Sequence, residues 1–361
     1  MAGKTYEDYV AEALEKTYQN AIAQEEQALS ISMDLPSARY IIFSDHHKGI
    51  RNRADDFRKA ERAYNAALAY YFRMGHKLVI LGDAEELWEE QPAQVIKTYK
   101  HTLSLEAQFH LQGRYLRFWG NHDDDWQFKD AVKTHLTPIF GEAPPLNVYE
   151  GLRIKVMENG ETLGSLFLAH GHQGTTASDR WAWFSKFFVR YLWRPYQRIT
   201  GTSLNTPAED WALRQRHNIA LYRWAARQEK LVLIAGHTHR PVFASMSHPA
   251  RIEEHIQSVE AKIIDHPEDR LLREQVALLY AELEWVRAQE EQANTGAEGY
   301  VPLMSKPCYF NTGCCSFTDG DITGIEIFDG DIRLIRFPDY KNRPQPEVLQ
   351  SAPLKQVLAL S

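Results

Sequence analysis

The sequence predicts an α/β fold, in which a sheet of buried strands is flanked by helices. Short apolar runs that end in polar residues indicate buried strands, and the clearest are 38–43, 77–81 and 231–235. Residues 54–74 separate the first two runs and carry apolar side chains at helical spacing along one face. Because strands and helices alternate along the chain, we expect an α/β core.

The same patterns extend the prediction to the rest of the chain. They indicate a helix at 92–112 and strands at 114–119, 152–157, 165–169 and 308–311. Asp329-Gly330 lies between the apolar runs of 321–337, which is a strong hairpin signal. Residues 5–30 are polar and rich in Ala, Glu and Gln, so we expect a helix outside the core. Residues from Pro338 onward are rich in Pro and Gln and predict a surface extension.

Composition narrows the function classes. The 361 residues carry a net charge of −7, with 41 basic and 48 acidic side chains. This balance argues against a general nucleic-acid binder, because such proteins are usually basic. The three cysteines, two of them adjacent, form no disulfide framework and no CxxC site, which favours a reducing compartment. We see no secretory signal and no apolar run of about 18 residues that would span a bilayer, so a cytoplasmic location is expected.

Polar residues follow five of the predicted strands at the point where each strand ends. In an α/β sheet the carboxyl ends of the strands lie along one edge, where ligands bind, so these clusters should converge. The clusters are Ser44-Asp45-His46-His47, Gly82-Asp83, Gly120-Asn121-His122-Asp123, His170-Gly171-His172 and Gly236-His237-Thr238-His239.

The residue types of these clusters suit divalent metals. Carboxylates and imidazoles favour Mn, Fe, Zn or Ni, whereas the absence of thiolates disfavours a structural zinc site. On an extended backbone the paired side chains of Asp45-x-His47 and His237-x-His239 would project the same way. The glycines beside the ligands would allow the backbone to approach the metals closely. A single Asp or His at a strand end is often only a cap or turn residue, but the ordered set is specific.

This ordered set resembles the calcineurin-like metallophosphoesterase superfamily, whose pattern reads D-x-H, G-D, G-N-H-D/E, H and G-H-x-H. The match covers roughly residues 38–245 and the closing strands near 308–337. The resemblance implies a two-sheet β-sandwich flanked by helices, here with two helical insertions, and two divalent metals, with Mn expected first. It implies Asp83 as the bridging ligand, Asp45, His47 and His239 on one metal, and Asn121, His170 and His237 on the other.

The resemblance also implies a reaction. Two cations about 3.5–4 Å apart can generate a hydroxide at neutral pH and clamp the phosphoryl oxygens for in-line attack. His122 would lie next to the leaving group and stabilise or protonate it. Asp123 is a candidate to orient His122, with a turn role as the alternative, and Arg240 is a candidate phosphate contact, with a surface ion pair as the alternative.

A narrower resemblance concerns the substrate. Gly82-Asp83-Ala84-Glu85-Glu86-Leu87-Trp88 is similar to a stretch of the UDP-2,3-diacylglucosamine pyrophosphohydrolases, which also share the D-x-H and G-H-x-H segments. The chain departs from that group in carrying His122 where Arg is typical, and in its greater length. The expected function is therefore hydrolysis of a phosphodiester or pyrophosphate bond, in a lipid-linked or nucleotide-sugar substrate. The alternatives are a phosphomonoesterase, such as a serine/threonine phosphatase, and a non-catalytic partner-binding scaffold.

These features divide the chain into segments. We expect a metallophosphoesterase catalytic domain at 38–245 and 300–340, with a helical cap at 176–228 inserted into it. An N-terminal helical extension occupies 1–37, a helical hairpin insertion 246–299, and a C-terminal tail 341–361.

The cap carries basic and aromatic residues together. Between Arg180 and Thr200 there are five basic residues and no acidic one, and Lys186, Arg190 and Arg194 fall four apart among large aromatic side chains. Such a segment can contact anionic lipid or the inner face of a membrane, and these three residues are then substrate-binding candidates. A lid helix packed on the catalytic domain is the main alternative, and nucleic-acid contact a minor one.

The second insertion predicts a pair of helices that pack on each other. Its apolar residues follow a spacing of 4, 3, 4 and 3, as in a coiled-coil seam. Pro267 is suited to the first turn of the second helix. The two helices form either a self-contained arm or, through 248–294, a contact with a second copy or another partner.

Overall fold

The structure of the chain is a computed structural model. It describes residues 4–27, 31–175, 207–244, 248–265, 306–317, 320–339 and 345–361, together with several residues between 268 and 283. Within these ranges, no helix is long and apolar enough to cross a membrane.

The described strands form two mixed sheets. In chain order they are β1 (Ser32–Asp34), β2 (Arg39–Phe43), β3 (Lys77–Leu81), β4 (Tyr115–Phe118), β5 (Val148–Tyr149), β6 (Gly151–Glu158), β7 (Glu161–Ala169), β8 (Leu231–Ala235), β9 (Pro241–Val242), β10 (Tyr309–Thr312), β11 (Ile322–Phe328), β12 (Asp331–Phe337) and β13 (Glu347–Pro353). One sheet has the order β13-β12-β11-β2-β3-β4-β5, and the other β1-β6-β7-β8-β10-β9. The α/β prediction is confirmed at this level.

Helices connect and cover these strands. They are α1 (Tyr6–Gln27), α2 (Phe57–Arg73), α3 (Pro92–Thr98), α4 (Lys100–Leu111), α5 (Lys129–His135), α6 (Thr137–Phe140), α7 (Pro207–Ala225), α8 (His248–Asp265) and α9 (Leu354–Leu360). The single helix expected at 92–112 is two helices that meet at Tyr99. Short 3₁₀ turns occur at Leu35–Ser37 and Asp124–Gln127.

The parallel strands β2, β3 and β4 lie side by side at the centre of the larger sheet. Their apolar side chains pack with the buried face of α2 in one large core, which includes Phe43, Tyr64 and Leu78. Because β2 and β3 are buried on both faces, they consist largely of continuous apolar residues, and the sequence predicts them well; β4 differs in containing the buried Arg117. Each strand then ends in the polar loop that carries one of the predicted clusters.

The N-terminal helix belongs to the core, so the expectation that it lies outside is wrong. Val10 and Leu14 of α1 are fully buried. The ring of Tyr18 packs edge-on against Phe167 of β7, and Glu15 accepts a hydrogen bond from Trp224 of α7 at 2.8 Å. The helix therefore covers the smaller sheet and α7.

The C-terminal tail is also more than a surface extension. Strand β13 pairs antiparallel with β12 and adds an edge to the larger sheet. In α9, Leu354, Val357 and Leu358 are buried, and the Lys230 amide donates a hydrogen bond to the Ser361 carbonyl at 2.9 Å. The last residues thus complete the fold.

The insertion after β9 forms a compact unit of its own, spanning Ala244–Pro307. Among its described residues, Ile256 of α8 and Leu283 are buried in one small apolar cluster, against which Leu279 packs. The Tyr280 hydroxyl donates a hydrogen bond to Glu260 at 2.9 Å. These contacts join α8 to the segment that follows it, within this unit. Residues 176–206, which hold most of the predicted cap, lie outside the described residues.

Candidate metal centre

The five predicted clusters converge, but they come from both sheets. Strands β2, β3 and β4 of the larger sheet deliver the loops with Asp45, Asp83 and Asn121. Strands β7 and β8 of the smaller sheet deliver the loops with His170 and His237. Among the described residues, three overlapping groups result, and in each group one ligand atom per residue lies within 4.8 Å of the others. The groups are Asp45–His47–His239, His47–Asp83–His122 and Asp83–His170–His237.

The first group has the spacing of a metal site. The two Nε2 atoms of His47 and His239 are 3.1 Å apart, and His239 Nε2 is 3.2 Å from Asp45 Oδ1. Two nitrogens that each bind a cation at about 2.0–2.1 Å are expected to lie about 3 Å apart. Asp45 is fully buried and also accepts hydrogen bonds from the His237 amide and the Ser44 hydroxyl, which fix its carboxylate.

Asp83 belongs to two of the three groups. Its Oδ2 is 3.0 Å from His170 Nε2 and 3.9 Å from His47 Nε2, while its Oδ1 accepts a hydrogen bond from the His122 amide at 2.8 Å. Burial raises the pKa of this carboxyl, but the His170 and His122 imidazoles outweigh it and hold the pKa well below its usual range. Asp83 is therefore an anion between two sets of imidazole nitrogens.

The tautomers favour metal binding through Nε2. His170 Nδ1 donates a hydrogen bond to the Leu81 carbonyl at 2.8 Å, and His47 Nδ1 donates one to Glu86 at 3.0 Å. Each ring therefore turns Nε2 toward the Asp83 carboxylate. A ligating histidine commonly has its other nitrogen held in this way by a carbonyl or a carboxylate.

Asn121 provides an independent test of the fit. Its side chain is buried, and Oδ1 has no hydrogen-bond partner among the described residues. A buried amide oxygen without a partner is costly, and a bound cation or a water molecule would satisfy it. Amide oxygens, carboxylates and imidazoles together form a donor set for divalent transition metals. The residues that converge here thus fit the two metals that the sequence predicts.

His122 is held by a residue that the sequence analysis did not select. His122 Nδ1 donates to both oxygens of Glu86, at 2.8 and 3.0 Å, and the same carboxylate accepts from His47. Trp88 stacks on the imidazole at 4.6 Å with 17° between the rings. Burial lowers the pKa of His122, but the carboxylates of Glu86 and Asp83 outweigh it, so the pKa is raised. The sequence signal that could have identified Glu86 is the Glu-x-Trp pattern formed by Glu86 and Trp88.

Asp123 is placed differently from the expected orienting role. Its carboxylate accepts hydrogen bonds from the backbone amides of Gly120 at 2.6 Å and Ala84 at 2.9 Å. Burial, with the nearby carboxylates of Asp83 and Glu85, raises the pKa of Asp123 to about 7. These hydrogen bonds tie the loop after β4 to the loop after β3. Asp123 therefore acts as a turn residue, which was the alternative to its orienting His122.

The ligand loops are not extended, so the backbone premise of the paired-ligand argument is wrong. Asp45 and His47 have φ values of 53° and 51°, and His237 and His239 have 68° and 57°. Asp83 is left-handed as well, with φ of 49°. Residues other than glycine adopt this conformation only where the surrounding structure enforces it, and they concentrate at functional sites.

Two glycines let backbone approach the ligands. A methyl group on Gly120 would overlap Asp83 Oδ1, and one on Gly236 would overlap Asp45 Oδ2 and the Ser44 hydroxyl. Neither glycine needs a left-handed φ, so packing against the carboxylates is what requires them.

A cavity of about 720 Å³ opens in front of these groups. His122, His237 and His239 line one side of it, and Tyr6, Arg214 and His217 line another. His217 Nε2 donates to the Gly171 carbonyl, so Nδ1 accepts the Tyr6 hydroxyl hydrogen at 2.7 Å. Sequence reasoning did not select these three residues, because α1 and α7 contain no motif.

The predicted substrate contacts are four basic residues, one of which the structure describes. Arg240 follows His239 directly and is half-buried. Lys186, Arg190 and Arg194 lie outside the described residues. The thiols of Cys308, Cys314 and Cys315 are buried, and burial raises the pKa of Cys314 to about 12, which agrees with an inert role.

No protein-family model matches the chain, and no curated protein sequence matches it.

Proposed function

We propose that this chain is a dinuclear metal-dependent phosphoesterase that hydrolyses a phosphodiester or pyrophosphate bond. The observation that carries the proposal is the position of Asp83, which is shared between two groups of potential ligands. A carboxylate with imidazoles on both sides has the arrangement expected of a bridging ligand in a two-metal site.

The residues divide into two sets around Asp83. Asp45, His47 and His239 would hold one cation, and Asn121, His170 and His237 the other. When bound, two such cations supply a nucleophile at neutral pH and neutralise charge on the phosphoryl oxygens. The origin of the ligands in two mixed sheets supports a metallophosphoesterase-type architecture.

His122 performs the proton transfer in this proposal. Because Glu86 engages Nδ1, Nε2 is the nitrogen that remains for the substrate, and His122 lines the cavity. A protonated His122 donates from Nε2 to the leaving oxygen, while Glu86 stabilises the imidazolium and Trp88 holds the ring plane. This dyad favours poor leaving groups, such as alkoxides and phosphates, which need a proton.

The experiment measures metal content and substrate preference together. The protein is loaded with Mn²⁺, analysed by elemental mass spectrometry, and assayed on phosphate monoesters, phosphodiesters and pyrophosphates. Two metals per chain and hydrolysis of diesters or pyrophosphates are expected. Asp83→Asn should lose both metal and activity. Asp329→Asn is the matched control, since Asp329 is also left-handed, with φ of 55°, but lies in the hairpin turn between β11 and β12. Retention of two metals and full activity in Asp83→Asn would refute the proposal.

A further inference from the structure

Another cavity lies at the edge of the larger sheet opposite the metal centre. Strands β2, β3 and β4 are parallel, so their amino ends lie together, roughly 20 Å from the loops that carry Asp45 and Asp83. A cavity of about 230 Å³ opens at these amino ends. Three basic residues line it: Arg39 begins β2, Lys77 begins β3, and Arg114 directly precedes β4. The cavity is therefore separate from the metal centre.

The lining of this cavity is positively charged, although the whole chain carries a net charge of −7. The three cations are accompanied by one carboxylate, that of Asp34, which already accepts a hydrogen bond from the Ser37 hydroxyl at 2.6 Å. Within the described part of the chain, none of the three cations forms an ion pair with a carboxylate. Three positive charges against one negative charge leave an excess of two.

Lys77 has an ammonium group that is available to a ligand. Its side chain is half-buried, and Nζ lies 5.4 Å from the centre of the Tyr40 ring. No described residue accepts a hydrogen bond from this ammonium group. Burial lowers the pKa of Lys77, and no carboxylate counteracts that effect. A bound anion would stabilise the charge that the surrounding protein leaves without compensation.

The two arginines contribute in different ways. Arg114 donates hydrogen bonds to the carbonyls of Phe72 and His76, at 3.4 and 2.8 Å, so its guanidinium group is fixed and supplies mainly charge. Partial burial lowers the pKa of Arg114, again without an opposing carboxylate. Arg39 is exposed and donates from one Nη to the Met74 carbonyl at 3.3 Å. The Nε and the other Nη of Arg39 remain as donors for a ligand.

We propose that this cavity binds a phosphate dianion through Lys77 and Arg39, with Arg114 supplying fixed charge. Guanidinium and ammonium groups are common phosphate ligands in proteins. A phosphate group carries about two negative charges at neutral pH, which matches the excess of two positive charges in the lining. The cavity volume of about 230 Å³ is several times the roughly 30 Å³ that one water molecule occupies in the liquid, so the ion fits with part of its hydration. This site is independent of the phosphoesterase activity proposed above.

The test measures acetylation of Lys77 in the metal-loaded protein. Peptide mass spectrometry follows the reaction at a limiting amount of acetylating reagent and at constant ionic strength. Bound phosphate shields the amine and raises its pKa, so acetylation of Lys77 should slow about tenfold once inorganic phosphate reaches about ten times its Kd. Lys97 of α3 is exposed and does not line the cavity, so its acetylation should stay constant. Because the signal comes from Lys77 itself, phosphate bound at the metals does not produce it.

Variants and a second anion identify the site. Ser32 is exposed and lines the cavity, so Ser32→Glu adds a carboxylate beside the cations and should abolish the protection of Lys77. Arg39→Gln should weaken phosphate binding about two- to fivefold. Arg73→Gln, which removes an exposed charge outside the cavity lining, should not. Acetate carries one charge and should protect less than phosphate. Absence of protection, equal protection by both anions, or full protection in Ser32→Glu would overturn the site.

Discussion

The carboxylate of Glu86 should determine how strongly His122 acts as an acid. It accepts from His122 Nδ1 at 2.8 Å and from His47 Nδ1 at 3.0 Å, so Glu86→Gln removes the charge from two hydrogen bonds while keeping the side-chain volume. A hydrogen bond to a charged group contributes about 1.5–3 kcal/mol. At about 1.4 kcal/mol per tenfold change in rate, loss of the His122 interaction should lower kcat about 10- to 150-fold.

The size of this loss should depend on the leaving group and on pH. A nitrophenolate needs little protonation, so the variant should lose less activity on a nitrophenyl ester than on an alkyl ester or a pyrophosphate. Glu86 raises the pKa of His122 in the folded protein. Activity that requires protonated His122 is present below this pKa and lost as pH rises through it. Without the carboxylate the pKa falls, so the alkaline limb of the kcat profile should move to lower pH.

The assay is a pH profile of kcat for both substrate classes, with metal content measured on the same samples. His122→Asn is the comparison variant, because it removes the acid itself. In the double variant, Glu86→Gln should therefore cause almost no further loss of kcat. Equal losses on good and poor leaving groups, with an unshifted alkaline limb, would refute the acid role of His122. If the variant loses metal together with activity, the main role of Glu86 is instead to hold His47 in position.

Three further predictions concern stability and are checked by urea unfolding. Lys48→Met leaves the buried Glu106 carboxylate without its 2.9 Å partner and should lower the free energy of unfolding by about 3–5 kcal/mol. The double variant with Glu106→Gln should recover part of this stability, because no unpaired charge is then buried. Since Lys48 and Arg117 lower the pKa of Glu106 against the effect of burial, this contribution is present above the unfolded pKa of about 4.3 and should disappear on further acidification. Leu358→Ala should cost about 2–5 kcal/mol if α9 is part of the core, whereas Leu360→Ala, which is exposed, should cost little. Tyr6→Phe should cost about 1–3 kcal/mol, because it leaves the buried His217 Nδ1 without its donor, and an unchanged midpoint would contradict the docking of α1.

The sequence correctly predicts the strands that are buried on both faces, because all of their side chains lie in an apolar environment. Lys77–Leu81 and Leu231–Ala235 are found as expected, because each strand is covered on both faces and is therefore apolar throughout. The convergence of the ligand clusters is also predictable, since each cluster follows a strand. Their division between two sheets is not, because strand order depends on pairings between distant segments that no local pattern reports.

The packing of the two terminal segments was predicted wrongly, for different reasons. Strand β13 is an edge strand with mostly exposed side chains, so it shows neither alternation nor an apolar run. Helix α1 did carry a signal: Val10, Leu14, Thr17 and Ala21 are spaced 4, 3 and 4 and are all buried. Threonine and alanine make a weak apolar stripe, and the surrounding polar residues conceal it. Glu86 was missed because its role depends on a contact with His122, 36 residues away in sequence.

The conformation of the ligand loops connects the fold to the chemistry. Asp45, His47 and Asp83 hold left-handed backbones, each at a cost of roughly 1–3 kcal/mol. Neighbouring loops offset that cost through backbone hydrogen bonds: the Asp45 amide donates to Gly82 and the His47 amide to Asp83. The next residue, Lys48, donates its amide to Ala84 and its ammonium to Glu106, deep in the core. These hydrogen bonds tie the loop after β2 to the loop after β3 and to the core. The Glu86 amide donates to the Lys48 carbonyl, so the same loop contacts place the Glu86 carboxylate between His47 and His122.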